Sequence, residues 1–123
     1  MAKILIVEDN PANMKLAVLL LEGAGHTVLT VTDAETGLAT ARAEQPALIL
    51  MDIQLPGMDG LAATAQLKHD NATRAIPVIA LTALAMKGDE ERIRAAGCDG
   101  YIAKPMRYQE FIATVTEYLR SEP

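Results

Sequence analysis

Three carboxylates, a hydroxyl and an amine stand where buried strands are expected to stop. Glu8 and Asp9 follow Lys3-Ile-Leu-Ile-Val7, Asp52 follows Leu48-Ile-Leu-Met51, Thr82 follows Pro77-Val-Ile-Ala-Leu81, and Lys104 follows Tyr101-Ile-Ala103. Singly, none is telling, because an aspartate after a strand commonly caps the next helix or keeps a loop solvated. Together they are a set of hard oxygen ligands beside one point charge. Crowded carboxylates require a cation to offset them, and with no histidine or cysteine in the group Mg2+ fits better than zinc or copper. A metal and a lysine that neutralise phosphoryl oxygens while a carboxylate attacks in line are the equipment of phosphoryl transfer. No separate acceptor is visible, so Asp52 is the candidate nucleophile. Its product would be an acyl phosphate, whose lability to hydrolysis suits a timed signal better than a metabolic product.

For these side chains to meet, the strands must lie parallel and adjacent. Leu48 to Met51 is apolar at every position, as in a mid-sheet strand covered on both faces, and the turn Leu55-Pro56-Gly57 then holds Asp52 beside a rigid loop. Lys3–Val7 is a second such strand. Asn10-Pro11 predicts a helix start, with Asn10 as cap and Pro11 at the first helical position; Met14, Ala17, Val18 and Leu21 recur at helical spacing until Gly23 and Gly25. Thr27–Val31 is more polar and suits a sheet edge. Asp33 caps a helix from Ala34 to about Glu44, ended by Pro46, in which Gly37 costs roughly 1 kcal/mol relative to alanine. Asp59 caps a helix through Leu61, Ala65 and Leu67, with a polar loop from His69 to Arg74. A charged helix runs from about Met86 to Ala96 and is stopped by Gly97. The last helix, about Arg107 to Arg120, buries Phe111, Ile112, Val115 and Leu119.

Five βα units joined by short connections predict an α/β fold, a right-handed, doubly wound five-stranded parallel sheet. In the flavodoxin-like order 2-1-3-4-5, strands one, three, four and five are neighbours roughly 5 Å apart, so their terminal side chains can converge within about 10 Å.

Composition narrows the partners. The chain has 123 residues, half of them hydrophobic, which fits one domain, 1–123, with one core. A net charge of −5 and 3% aromatic residues argue against a nucleic-acid surface, which depends on clustered Lys and Arg or on stacking platforms. No signal peptide, lipidation motif or spanning apolar run is seen, so a cytoplasmic protein without membrane contact is expected. A single cysteine, Cys98, excludes an internal disulfide and reads as a quiet, partly buried thiol. His26 and His69 lie in polar turns and read as solvated. The methionines read as core fillers, with Met14 and Met86 possible exceptions near partner surfaces.

Val7-Glu-Asp-Asn10, Met51-Asp52, Leu55-Pro-Gly-Met-Asp-Gly60, Leu81-Thr-Ala83 and Lys104-Pro105 together resemble the response-regulator receiver domain, the CheY-like fold, over the whole chain. More narrowly, Asn10-Pro-Ala-Asn-Met-Lys15 and Ala85-Met-Lys-Gly-Asp-Glu-Glu-Arg-Ile-Arg94 look similar to stand-alone DivK-type regulators of bacterial cell cycle and polarity, although receivers attached to hybrid kinases look alike. The resemblance implies that Asp52 is the phosphoacceptor. It also implies that Glu8, Asp9, Asp52 and the Gln54 backbone carbonyl hold Mg2+, and that Thr82 and Lys104 contact the phosphoryl group. Pro105 would follow a cis peptide bond. Glu8 stands where many members carry aspartate, which leaves direct and water-mediated metal contact both open. Thr82 moving toward the phosphate and Tyr101 turning inward would form a switch that alters the face made by the fourth helix, fifth strand and fifth helix. By sequence alone Tyr101 reads as an ordinary half-buried aromatic with its hydroxyl in water, and it is the resemblance that favours the switch.

The implied function is a response regulator of a two-component phosphorelay. It would take its phosphoryl group from a histidine kinase or histidine phosphotransferase, and pass the message on by contact with a downstream protein. The alternative is a small Mg2+-dependent phosphohydrolase. The haloacid-dehalogenase type also uses an aspartate after a strand, but Gln54 replaces its second acid and no cap insertion is present. A flavodoxin-like or dinucleotide-binding module lacks its Gly-rich turn here, and Glu8-Asp9 would repel a phosphate.

Overall fold

The computed structural model describes residues 2–55, 57–83, 87–104 and 106–120. Five strands, β1 (Lys3–Val7), β2 (Thr27–Val31), β3 (Leu48–Asp52), β4 (Val78–Thr82) and β5 (Gly100–Ala103), alternate with five helices. These are α1 (Pro11–Gly23), α2 (Ala34–Glu44), α3 (Gly60–His69), α4 (Lys87–Ala95) and α5 (Tyr108–Arg120). All strand pairs are parallel, in the order β2-β1-β3-β4-β5. This is the order expected for a doubly wound sheet, with the polar strand β2 at one edge.

The sheet is covered on both sides because successive strand residues face opposite ways. Ile4, Ile6, Leu48, Leu50, Ile79 and Leu81 pack with Ala17 and Leu21 of α1 and Phe111 and Val115 of α5. Leu5, Val7, Ile49, Met51, Val78 and Ala80 pack with residues of α2, α3 and α4 on the other side. Every residue of β3 and β4 is buried, which explains why these strands show no polar alternation. Among the described residues, no helix is long and apolar enough to cross a membrane.

The caps are where the sequence places them. Asn10, Asp33 and Asp59 each accept a hydrogen bond from the backbone N–H three residues on, satisfying a donor left free at a helix start. Three expectations need correction. Helix α2 ends at Glu44 as expected, but the residue that stops it is Gln45 and not Pro46: Gln45 takes the left-handed conformation with φ 48° and folds its side-chain amide back onto the carbonyls of Ala41 and Arg42. His69 is the last residue of α3 rather than the start of the loop. His26 is half-buried rather than fully solvated, and its Nδ1 accepts from the Ala2 N–H at 3.3 Å. Burial and the nearby chain terminus push this imidazole below its usual range. The predicted features at Pro56, Met86 and Pro105 lie outside the described residues.

Gly37 is present for room. A Cβ there would stand 2.9 Å from Val7 Cγ2 and 3.6 Å from Val31 Cγ2, so the missing side chain lets α2 lie directly on β1 and β2. Val7 is fully buried and stiff at χ1, and cannot yield cheaply. Gly37→Leu should therefore destabilise the protein by about 1–3 kcal/mol through overpacking, although leucine is the better helix former. Urea denaturation measures this; an unchanged or raised midpoint would show that α2 is free to shift.

Candidate functional site

The parallel register delivers the polar side chains to one rim. Val7 pairs with Met51 and Asp52 with Leu81, so Glu8, Asp52 and Thr82 come from three successive strands at the same height. Lys104 follows β5, and its backbone N–H donates to the Thr82 carbonyl at 2.7 Å. Glu8, Asp52 and Thr82 are buried, whereas Asp9 is exposed. Carboxylate oxygens of Glu8, Asp9 and Asp52 lie within 4.8 Å of one another, closer than sequence spacing alone could promise.

Local backbone donors aim these carboxylates. Asp52 Oδ1 accepts from the Gln54 N–H at 2.9 Å, and its Oδ2 accepts from Lys104 Nζ at 3.2 Å. Glu8 Oε2 accepts from the Asn10 N–H at 3.2 Å, while Oε1 faces Lys104 Nζ at 2.9 Å. The ammonium is not aligned as a donor to that oxygen, so the buried Oε1 receives charge without a directed hydrogen bond. One cation, directly after β5, thus bridges two buried anions that follow β1 and end β3.

The titration of these groups reflects the crowding. Burial first, and then the neighbouring Asp52 carboxyl, raise the Glu8 pKa above its ordinary 4.5, against the opposing pull of Lys104 and the Asn10 N–H. Burial alone would lower Lys104, but the carboxylates of Glu8 and Asp52 outweigh it and hold the ammonium above 10.5. By linkage, Lys104 contributes stability below 10.5 that is lost as pH rises through its raised folded value. The raised acid works the same way: the stability it contributes is full below 4.5 and lost as pH climbs through the folded value.

Three carboxylates and one ammonium leave the pocket two negative charges in excess. Together with the undirected Glu8 Oε1, this fits a divalent cation taken by oxygen ligands. Among the expected ligands, the structure brings Glu8, Asp9 and Asp52 together; Thr82 and Lys104 border them. Tyr101 stands apart on β5, paired in register with Ala80, and is 38% exposed. Two contributors were not anticipated, the backbone N–H groups of Asn10 and Gln54. Each follows its acid by two residues, a spacing at which a carboxylate can bond its own backbone.

A family model described as the response regulator receiver domain matches residues 4–116. The chain is 52% identical over 116 residues to the polar-differentiation response regulator DivK of Brucella anthropi, covering 94% of each chain, and equally so to that of Brucella ovis. It superposes with a TM-score of 0.91, at 36% identity and 98% coverage of both chains, on the receiver domain of a sensor histidine kinase from Pseudomonas aeruginosa PAO1. That structure has a magnesium ion coordinated in its active-site cleft. The chemotaxis response regulator CheY4 of Vibrio cholerae shares the fold, with a TM-score of 0.91 at 24% identity, over 96% of this chain and 98% of that one.

Removing the bridging cation should separate fold stability from metal affinity. Lys104→Ala is expected to lower the stability of the metal-free protein by on the order of 3 kcal/mol, because two buried carboxylates lose their counter-charge. The variant should then gain more from added Mg2+ than the parent does, since another cation can take that place. Thermal melts with and without Mg2+ measure both effects; a variant that Mg2+ no longer stabilises would contradict the charge balance.

Proposed function

This chain belongs to the response-regulator receiver family, and on that premise we propose that Asp52 is its phosphoacceptor, taking a phosphoryl group from a histidine kinase or a histidine phosphotransferase. The observation that carries this reading is the convergence of Asp52 with Glu8, Asp9 and Lys104 at one rim. The family is a signalling switch in two-component pathways rather than a classical enzyme.

In the proposed transfer, one Asp52 oxygen attacks phosphorus as the bond from phosphorus to the donor's imidazole nitrogen breaks. The electron pair returns to that nitrogen, which takes up a proton. The Gln54 N–H on Oδ1 holds the carboxylate in a fixed orientation, and attack is most efficient when the reacting atoms are already aligned. Lys104 can follow the developing charge from Asp52 onto the phosphoryl oxygens, because it already touches Oδ2. Thr82 offers a hydroxyl at the neighbouring strand end. Glu8, Asp9, Asp52 and the Gln54 carbonyl would hold Mg2+, which when bound offsets the negative charge of acid and phosphate together. The magnesium reported in the Pseudomonas aeruginosa receiver supports this ligand class.

The product is an acyl phosphate on a buried side chain, and it must be read from outside. We assign the reading to Thr82 and Tyr101. The new phosphoryl oxygens draw the Thr82 hydroxyl inward, and Tyr101, now partly in solvent, follows it and reshapes the surface formed by α4, β5 and α5. A downstream protein would bind there. The similarity to the Brucella regulators supports a DivK-type role in a bacterial cytoplasm, with residues 1–123 acting as a single receiver domain that binds neither nucleic acid nor membrane.

A small acyl phosphate with Mg2+ should add one phosphoryl group, seen as a single mass increment, and Asp52→Asn should abolish it. Undiminished labelling of that variant would remove Asp52 from the role. Multiple turnovers of unrelated phosphate esters would favour the phosphohydrolase alternative. For the switch, phosphorylation should reduce the solvent accessibility of the Tyr101 ring, followed by NMR solvent perturbation or ring iodination. A ring equally accessible in both states would refute its part.

A further inference from the structure

Gly60 opens α3 directly after its cap, Asp59. Its φ is not in the left-handed region, so backbone freedom is not why glycine stands there. Space is. A Cβ on Gly60 would fall inside contact distance of the Asp52 carbonyl oxygen, 2.7 Å from Ile53 Cα and 2.8 Å from the Asp52 carbonyl carbon. These are backbone atoms, which cannot swing aside as a side-chain tip can. Any larger residue must push α3 away or displace the end of β3.

Both sides of that contact are tied down. The Gly60 N–H donates to the Ile53 carbonyl at 3.2 Å, and the buried Thr64 hydroxyl donates to the Gly60 carbonyl at 2.8 Å. On the strand side, the Ile53 N–H donates to the Leu81 carbonyl at 3.2 Å, and the Gln54 N–H holds Asp52 Oδ1. A displacement at Gly60 therefore reaches the Asp52 carboxylate. Glu8 follows β1 and Lys104 follows β5, and neither is carried by α3 or the end of β3, so the separation between Asp52 and its partners would change.

We propose that Gly60 is a positioning residue: its lack of a side chain sets where the Asp52 carboxylate stands relative to Glu8, Asp9 and Lys104. The inference rests on Asp52 being the phosphoacceptor. In-line attack tolerates little displacement, and a shift of about 1 Å can cost roughly 100-fold in rate.

The test compares the full chain with Gly60→Ala, measuring the maximal rate of phosphorylation at saturating acetyl phosphate and Mg2+, per folded molecule. Thr73→Val is the control for a merely structural defect, since Thr73 is buried at the far end of α3, where its hydroxyl donates to the Leu67 carbonyl. Gly23→Ala controls for replacing a helical glycine, as nothing lies within 4 Å of a Cβ there. The expected result is a 10- to 100-fold lower maximal rate for Gly60→Ala, with both controls at the parent rate per folded molecule even where Thr73→Val melts lower. A parent-like rate for Gly60→Ala overturns the proposal. Should that variant not fold, amide exchange on the parent decides: adding beryllofluoride and Mg2+ should slow exchange of the Gly60 N–H, and unchanged exchange overturns the proposal. Failure of the parent to label, or labelling of Asp52→Asn, would instead overturn the phosphoacceptor reading.

Discussion

A single ammonium group holds the rim of this sheet together. Lys104 lies between the Glu8 and Asp52 carboxylates, and without it two acids would face each other in a largely dry pocket at high cost. The compensation is incomplete, because Asp9 adds a further negative charge and Glu8 Oε1 has no directed donor. That residual charge gives the pocket its affinity for a divalent cation. Stability and function here oppose one another: a better-neutralised cluster would fold more firmly and bind metal less well. The order of the strands serves the same interaction, because only a sheet placing β1, β3, β4 and β5 side by side brings the first acid and the last amine together.

What the sequence revealed was what the chain settles locally. Asn10, Asp33 and Asp59 cap the helices they precede because a cap is made by a side chain and a backbone group three residues apart. The uninterrupted apolar runs of β1, β3 and β4 announce burial on both faces, and the acids at their ends announce the rim. Contacts between elements stayed hidden. Gly37 looked like a flaw in a helix until Val7 was seen against it, and nothing in the sequence placed Gly60 against the Asp52 backbone. Gln45 ends α2 in a conformation unusual for its type, because its own amide can bond the carbonyls that a glycine would leave to water. The pairs Arg42–Asp70 and Lys68–Asp99 join residues far apart in the chain, and no periodicity reports them.

The two halves of the rim differ in how firmly they are held. Asp52 ends a strand with neighbours on both sides, and its backbone is packed against the start of α3. Tyr101 belongs to β5, the shorter edge strand, which pairs on one side only, and Lys104 directly follows it. Edge elements open at lower free energy than central ones. A phosphate formed on the fixed half would therefore be felt most by the half that can yield. Tyr118 limits that freedom at the opposite end of β5, where its hydroxyl donates to the Asp99 carbonyl at 2.7 Å and its ring fills the space left by Gly100.

The bridge from Glu8 to Lys104 joins the residue after β1 to the residue after β5, and this has a bearing on biosynthesis. A chain emerging from the ribosome displays its first acids and Asp52 long before the amine that joins them has been translated, and domains generally fold as units once enough has emerged. Until then the acids stay hydrated and unassembled. The rim thus assembles only once the segment through β5 has been made, and a product interrupted before Lys104 lacks the ammonium that offsets Glu8 and Asp52.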